Sequence, residues 1–217
     1  MADNQRKIID AAIKLMSQKG YHGASMQMIA EKVGITKSTI FHHFKNKEAI
    51  LLAILEETVP HATYNLMLIV NDKNLTPREQ LKEFFKMHMK LVEQQGAILN
   101  LYLGESRHLG KHNRQIYIES RRVYTNLVKQ IIREIQKQTD CIFSNLNSTI
   151  LTNAILGMCN WAVTWYKKGG QLDVNAIADH FYQIIMGSSN EEPLKTIVEM
   201  NRIVEKPTYK HSKLEHS

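Results

Sequence analysis

Apolar residues recur along this chain at intervals of three and four. No strict alternation of apolar and polar positions persists between turn signals, so the pattern predicts an all-α protein. The first stripe, Ile8, Ile9, Ala12, Ile13, Leu15 and Met16, describes a helix over about 4–19 that ends at Gly20. Between Ser25 and Glu48 the apolar positions are Ile29, Val33, Ile35, Ile40 and Phe44. Ala30 stands where two helices cross closely, and Gly34 stands where the turn needs positive φ. Ser25, Thr36 and Asn46 each precede a helical start and can cap its free N–H groups. Two short helices joined by a tight turn are therefore expected, with a third beginning near Lys47.

From Lys47 the stripe runs through Ile50, Leu51, Ile54 and Leu55 towards Val59, and Pro60 predicts a kink or break. A polar turn at 71–77 places Thr76 as cap and Pro77 at the first position of a helix over roughly 77–94. Gly96 is expected to stop it. A shorter segment from about Ala97 to His108 follows, broken by Gly104 and ended near Gly110. The spacing of Ile116, Val123, Leu127, Ile131 and Ile135 marks a long helix over about 113–137, and two further helices are predicted at about 148–166 and 174–186, the second capped by Asp173. Beyond Ser188 a weak stripe at Leu194, Ile197, Val198, Met200 and Ile203 reads as a short helix before a polar tail. The expected organisation is a three-helix head at 1–48, a larger helical body at 49–189, and a short helix and tail at 190–217.

Charge sharpens this division. Of the formal net charge of +7, residues 1–50 carry eight Lys or Arg against four Asp or Glu, and residues 51–217 carry twenty against seventeen. More than half of the excess sits in the head, as a nucleic-acid partner would require. Two cysteines, Cys141 and Cys159, make no disulfide framework and fit a reducing cytoplasm. The polar N-terminus predicts no secretory signal. The apolar tract from Thr149 to Tyr166 is interrupted by Thr152, Asn153, Asn160 and Thr164 and predicts no membrane span. No phosphate-binding loop, nucleophile elbow, zinc-protease motif or paired-cysteine motif occurs, so no catalytic residue, cofactor or metal is expected. His108 and His112 have metal-ligand spacing, but Gly110 interrupts the helix between them.

The outward residues of the second short helix, Thr36, Lys37, Ser38, His42 and His43, are donors, acceptors and bases suited to phosphates and base edges in a major groove. The chain resembles the TetR family of bacterial transcriptional regulators over roughly 4–57. The carriers are the first helix to Gly20, the linker Tyr21-His-Gly-Ala-Ser25 and the ending Phe41-His-His-Phe-Lys-Asn-Lys-Glu48. The family usually has Tyr at the position of Phe41 or His42; His42 can stand in for its phosphate contact. The resemblance implies base or backbone contacts from Thr36, Lys37, Ser38, His42 and His43, and phosphate contacts from Ser25, Gln27 and Lys47. Lys47 otherwise opposes the macrodipole of the helix it starts. The family further implies a helix-turn-helix head on a ligand-binding and dimerisation domain, hence a repressor released from a palindromic DNA operator by a small effector.

The helix at 148–166 is apolar nearly all round, more than one inward stripe needs, so its surplus surface is either internal core or a seam with a second subunit. The resemblance implies a homodimer through the helices near 148–166 and 174–187. Trp161, Trp165 and Tyr166 either pack that seam or belong to a pattern similar to TetR-type regulators that respond to acyl-CoA thioesters. An acyl chain would then need an apolar tunnel involving Phe84, Met87, Leu103, Tyr124 and Met158, and its phosphates would need Arg107, Arg121 and Arg122. A hydrophobic or cationic drug-like effector is the alternative. From another class, the alternative is a small all-α enzyme or binding protein whose head binds no DNA.

Overall fold

The computed structural model describes residues 3–187, apart from the side chains of residues 57–59, and among these residues all regular structure is helical. The helix expected around Leu194 to Ile203 lies outside them. In chain order the elements are α1 (Asp3–Gly23), α2 (Met26–Val33), α3 (Lys37–His43), α4 (Lys47–Asn71), α5 (Pro77–Gly104), α6 (Lys111–Gln136), α7 (Ser148–Trp165) and α8 (Val174–Met186). A single 3-10 turn, Ser106–His108, joins α5 to α6.

Three expected boundaries moved. Gly20 ends the regular part of α1 at φ 72°, and one more helical turn follows to Gly23. Pro60 neither ends nor divides α4, which runs from Lys47 to Asn71. The proline removes the N–H that the Glu56 carbonyl would accept, and both residues are exposed, where one missing backbone hydrogen bond is tolerated. Gly96 likewise does not stop α5. The chain bends at Gln95 (φ −135°, ψ 25°) and continues to Gly104. Thr76 starts this helix with a capping box: its hydroxyl oxygen accepts from Glu79 N–H at 3.3 Å, and Glu79 Oε2 accepts from Thr76 N–H at 2.8 Å.

α5 is the hub, packing on α1, α4, α6, α7 and α8. Its buried residues Leu81, Phe84, Phe85 and Met89 build the body core with Val128, Ile131, Ile132 and Ile135 of α6, Ile155, Cys159 and Ala162 of α7, and Ile177 and Phe181 of α8. A second core joins Ile8, Ile9, Ala12 and Met16 of α1, Ile29 and Ala30 of α2, Ile40 of α3 and Phe44. It also takes Ile50, Leu51 and Ile54 from α4, and Leu101, Leu109 and Tyr117 from the far end of the body. The head is thus cemented to the bent end of α5 and the start of α6, as well as to α4. The bend at Gln95 lets one helix serve both cores: Leu99 belongs to the first and Leu101 to the second.

The turn between α2 and α3 depends on Gly34, at φ +78°, whose N–H reaches the carbonyls of Ala30 and Glu31 at 3.0 and 3.2 Å. A Cβ built there meets nothing within 4 Å, so the constraint is the backbone alone. Gly34→Ala is therefore expected to cost about 1–2 kcal/mol, the left-handed penalty for an L side chain, read as a lowered denaturation midpoint. No loss of stability would show that the turn relaxes out of this conformation.

Candidate functional site

The three predicted caps hold the head in register. Ser25 Oγ accepts from Met28 N–H at 3.1 Å, Thr36 Oγ1 from Thr39 N–H at 3.2 Å, and Asn46 Oδ1 from Ala49 N–H at 2.8 Å. Of the seven residues of α3 only Ile40 is buried. Lys37, Ser38, Phe41 and His42 are exposed and His43 is half-buried, with its ring 5.4 Å from that of His42. The Thr36 hydroxyl lies 2.8 Å from both the Ser38 and the Thr39 hydroxyl oxygens. Ser25 and Gln27 are exposed at the start of α2, and Gln27 Nε2 donates to Glu31 at 2.8 Å. A hydroxyl that accepts at a cap keeps its own hydrogen to give, so Ser25 remains a donor toward an anion, whereas the Thr36 hydroxyl shares its hydrogen bonding with Ser38 and Thr39. Phe41, singled out in the sequence only as a departure from the family's tyrosine, is 43% exposed and offers an apolar surface of the kind that contacts a thymine methyl.

Lys47 is held more firmly than the sequence implies. Its ammonium donates to the carbonyls of Tyr21 and Ala24 at 2.6 and 2.7 Å and lies 4.3 Å from the centre of the Tyr21 ring. The cation at the start of α4 thus has two neutral carbonyl acceptors and an aromatic face within the chain, and one of its three N–H groups is left over. Burial lowers its pKa, partly offset by the Glu105 carboxylate.

Around Lys47 two carboxylates join head to body. Glu48 accepts from the Gly110 N–H at 2.7 Å and from the Asn113 side-chain amide at 2.9 Å, and these two donors hold its pKa below the ordinary glutamate value. Glu105 accepts from the Tyr21 N–H at 3.4 Å and stands 3.0 Å from His108 Nε2. The His108 ring stacks on Tyr21 at 4.9 Å and meets His22 edge-on at 4.2 Å. His108 and His112 therefore belong to the joint and its flank. Among the described residues no group of three or more His, Cys, Asp or Glu is placed to hold a metal.

Inside the body a cavity of about 350 Å³ opens between α4, α5, α6 and α7. Leu91, Leu99, Leu103 and Leu156 give it apolar walls; His88, Tyr124, Thr125, Asn153 and Asn160 give it polar ones, and Arg121 stands at its exposed edge. His88 is 2% exposed, with Nδ1 3.0 Å from the Tyr124 hydroxyl and no partner for Nε2. Burial pulls the His88 pKa down to about 4, against a smaller upward pull from Asn160, so the ring is neutral near pH 7. Burial likewise pushes Tyr102 and Tyr124 up and keeps Cys159 a thiol. Tyr102, which also lines the cavity, accepts on its carbonyl from the Tyr117 hydroxyl at 2.9 Å, and Tyr117 belongs to the head's core.

Of the residues expected around an effector, Leu103, Arg121 and Tyr124 line this cavity. Phe84 lies behind the wall, wholly buried, with its ring 5.7 Å from His88 and 6.5 Å from Tyr124. Met158 packs against the core beside the lining residue Gly157. Met87 faces a separate surface groove with His61, Glu83 and Lys86. Arg107 reaches His108, with Nε 3.3 Å from Nε2, and exposed Arg122 lies 3.6 Å from Glu119. Trp161 and Trp165 are turned out of the body, 67% and 43% exposed, beside other exposed apolar residues of α7 and α8, Ile150 and Ile184. His88 escaped the sequence reading altogether. Asn153 and Asn160 were noticed only as interruptions of an apolar tract, although their spacing of seven puts both on one helix face, the signal of a polar wall.

The profile described as "Bacterial regulatory proteins, tetR family" matches residues 8–54, and "Tetracyclin repressor-like, C-terminal domain" matches residues 74–188. The chain is 23% identical over 191 residues, covering 86% of itself and 92% of its relative, to the HTH-type transcriptional repressor KstR2 of Mycobacterium tuberculosis. It is 25% identical, over 83% of itself and 92% of the relative, to the fatty acid metabolism regulator protein of Bacillus subtilis. Among solved structures, that of AibR in complex with isovaleryl coenzyme A and operator DNA superimposes with a TM-score of 0.75 at 26% identity, covering 85% of this chain and 98% of that one.

The neutral His88 carries a pH signature. A group held at about 4 in the fold and near its ordinary 6.5 when unfolded lets the unfolded chain take up a proton first. Its contribution is complete above pH 6.5 and is lost as pH falls towards 4, by about 3 kcal/mol in all. In His88→Leu that part of the acid dependence should vanish from denaturation midpoints measured between pH 7 and 4. An unchanged slope would mean that water reaches the ring.

Proposed function

Because the chain belongs to the TetR family of bacterial regulatory proteins, we propose that it is a homodimeric cytoplasmic repressor, released from a palindromic operator when a short acyl-CoA fills the body cavity. A ligand-responsive DNA-binding regulator is what the family and its repressor relatives give. The acyl-CoA comes from likeness to a regulator whose structure holds isovaleryl coenzyme A and operator DNA. Residues 1–48 form the DNA-binding head and 49–189 the ligand-binding and dimerisation body. Catalysis has no place in this reading, since the family and the relatives are transcriptional regulators.

One observation carries the proposal. α5 and α6 both line the cavity, and the segment that joins them, 105–110, is the one that grips the head through Glu105, His108 and Gly110. A ligand that wedges α5 from α6 therefore acts on the clamp that sets the head's angle. If it prefers the body conformation whose paired heads no longer match one helical turn of DNA, roughly 34 Å, it weakens operator binding by its differential affinity for the two states. Arg121 at the cavity edge suits the negative charge of a CoA thioester. A cationic drug finds no carboxylate among the described lining residues.

In the proposed interface Thr36, Lys37, Ser38, Phe41, His42 and His43 meet base edges and adjoining phosphates, while Ser25, Gln27 and the remaining N–H of Lys47 meet phosphates. The second subunit covers Ile150, Trp161, Trp165 and Ile184, whose exposure leaves an apolar face on α7 and α8. The absence of any helix long and apolar enough to cross a membrane, among the described residues, is compatible with this reading.

A gel shift on inverted-repeat DNA from the chain's own operon, in rising salt, tests the head. Lys37→Ala or Ser38→Ala should lower the preference for operator over random DNA by about 1–3 kcal/mol, whereas Gln27→Ala should weaken both together. Equal loss on both kinds of DNA for all three would contradict the assignment of α3 as the reader. For the seam, Trp161→Glu combined with Ile184→Glu should give monomers by sedimentation and sharply weaker operator binding. A variant that stays dimeric would place the interface elsewhere.

A further inference from the structure

The cavity wall contains a buried hydrogen-bonding pair whose hydrogens do not balance. Neutral His88 carries one N–H and Tyr124 one O–H, and the two side chains share a single contact, Nδ1 to hydroxyl at 3.0 Å. If the hydroxyl donates to Nδ1, the proton of the ring sits on Nε2, which has no partner. If Nδ1–H donates to the tyrosine oxygen, the tyrosine hydrogen is the one left over. In either tautomer the pair presents one unused donor in a wall where His88 is only 2% exposed. Asn160, which also lines the cavity, is a hydrogen-bonding neighbour of the His88 ring that pulls its pKa upward, yet Nε2 has no partner at hydrogen-bond geometry. A buried donor without an acceptor is costly, and a ligand that brings one relieves the cost.

The remainder of the lining narrows what that ligand is. Arg121 is the one ionised side chain among the described lining residues, and it stands at the exposed edge, so negative charge belongs outside and neutral atoms inside. The volume, about 350 Å³, is at the small end of ligand sites and suits a short acyl group better than a long chain or fused rings.

We propose that the His88–Tyr124 pair is the specificity determinant of the effector site and selects a short acyl group bearing its own oxygen, a 3-oxo or 3-hydroxy substituent, over the plain hydrocarbon of equal length. This rests on the body cavity being the effector site, as proposed above. The pair reads the oxygen, Asn153 and Asn160 complete the polar wall on α7, and Leu91, Leu99 and Leu103 enclose the carbon chain.

The test compares acetoacetyl-CoA with butyryl-CoA, which differ by one carbonyl, by calorimetric titration of the full chain. The same pair as small N-acetylcysteamine thioesters is titrated alongside. Acetoacetyl should bind at least about tenfold more tightly than butyryl, and the preference should shrink to near unity in Tyr124→Phe combined with His88→Leu, which removes both donors; a preference that persists there overturns the pair as its source. Tyr124→Phe combined with His88→Phe provides a second variant should the first be poorly folded. Equal or tighter binding of butyryl-CoA by the unaltered chain overturns the oxygen selection and leaves the acyl-CoA reading standing. Preference among the small thioesters with no binding of either CoA form sinks the CoA effector and supports the pair. Failure of all four to bind overturns both.

Discussion

The position of the DNA-reading head depends on two carboxylates. Glu48 belongs to the first turn of α4, where the free N–H groups already favour a negative charge, and it spends its acceptor capacity on the start of α6. Glu105 follows α5 and reaches the opposite way, to the backbone of Tyr21. Between them sits Lys47, whose ammonium closes the loop from α1 to α2. Polar contacts of this kind have narrow geometric tolerance, and an apolar core lies directly beneath them, shared by Ile50, Leu51, Leu101, Leu109 and Tyr117. The head cannot tilt without either breaking the clamp or carrying the ends of α5 and α6 with it.

That constraint gives the cavity its proposed significance. A void among leucines is cheap to deform, but this one is bounded by the helices whose junction holds the head, and its lining residue Tyr102 is bonded to Tyr117 in the head's core. The protonation states are equally constrained. Buried His88 stays neutral, and Tyr124 and Cys159 keep their protons, so in the proposed account the interior of the site recognises by hydrogen-bond pattern and volume, and charge is read only at Arg121 on its edge.

Much of this was legible in the residues. Caps at Ser25, Thr36 and Asn46, the left-handed Gly34 and the stripe through Ile29 and Ile40 each state a local rule that the fold obeys, which is why the head could be drawn from pattern. Pro60 and Gly96 misled because helix propensity is a weak prior: one missing backbone hydrogen bond is tolerated on the exposed side of α4, and the packing around α5 overrides one glycine. The cavity was harder. Aromatic and methionine residues are the local signal of an apolar site, yet Phe84 and Met158 pack the core, and the polar wall is made by residues from three helices far apart in sequence. The clamp was invisible for the same reason. Nothing local marks that Glu48 will meet Gly110, or Glu105 the backbone of Tyr21.

The most direct measurement is the ratio of operator affinities without and with a cavity ligand, using isovaleryl-CoA as probe, for the unaltered chain and for Glu48→Ala. Allosteric couplings of this kind amount to roughly 5–150-fold. If the joint transmits occupancy, the unaltered chain shows a ratio in that range and the variant falls towards unity while still binding isovaleryl-CoA by calorimetry. An undiminished ratio in a variant that has lost the Glu48 contacts would contradict the account, because the head would then be controlled by a route that bypasses the clamp.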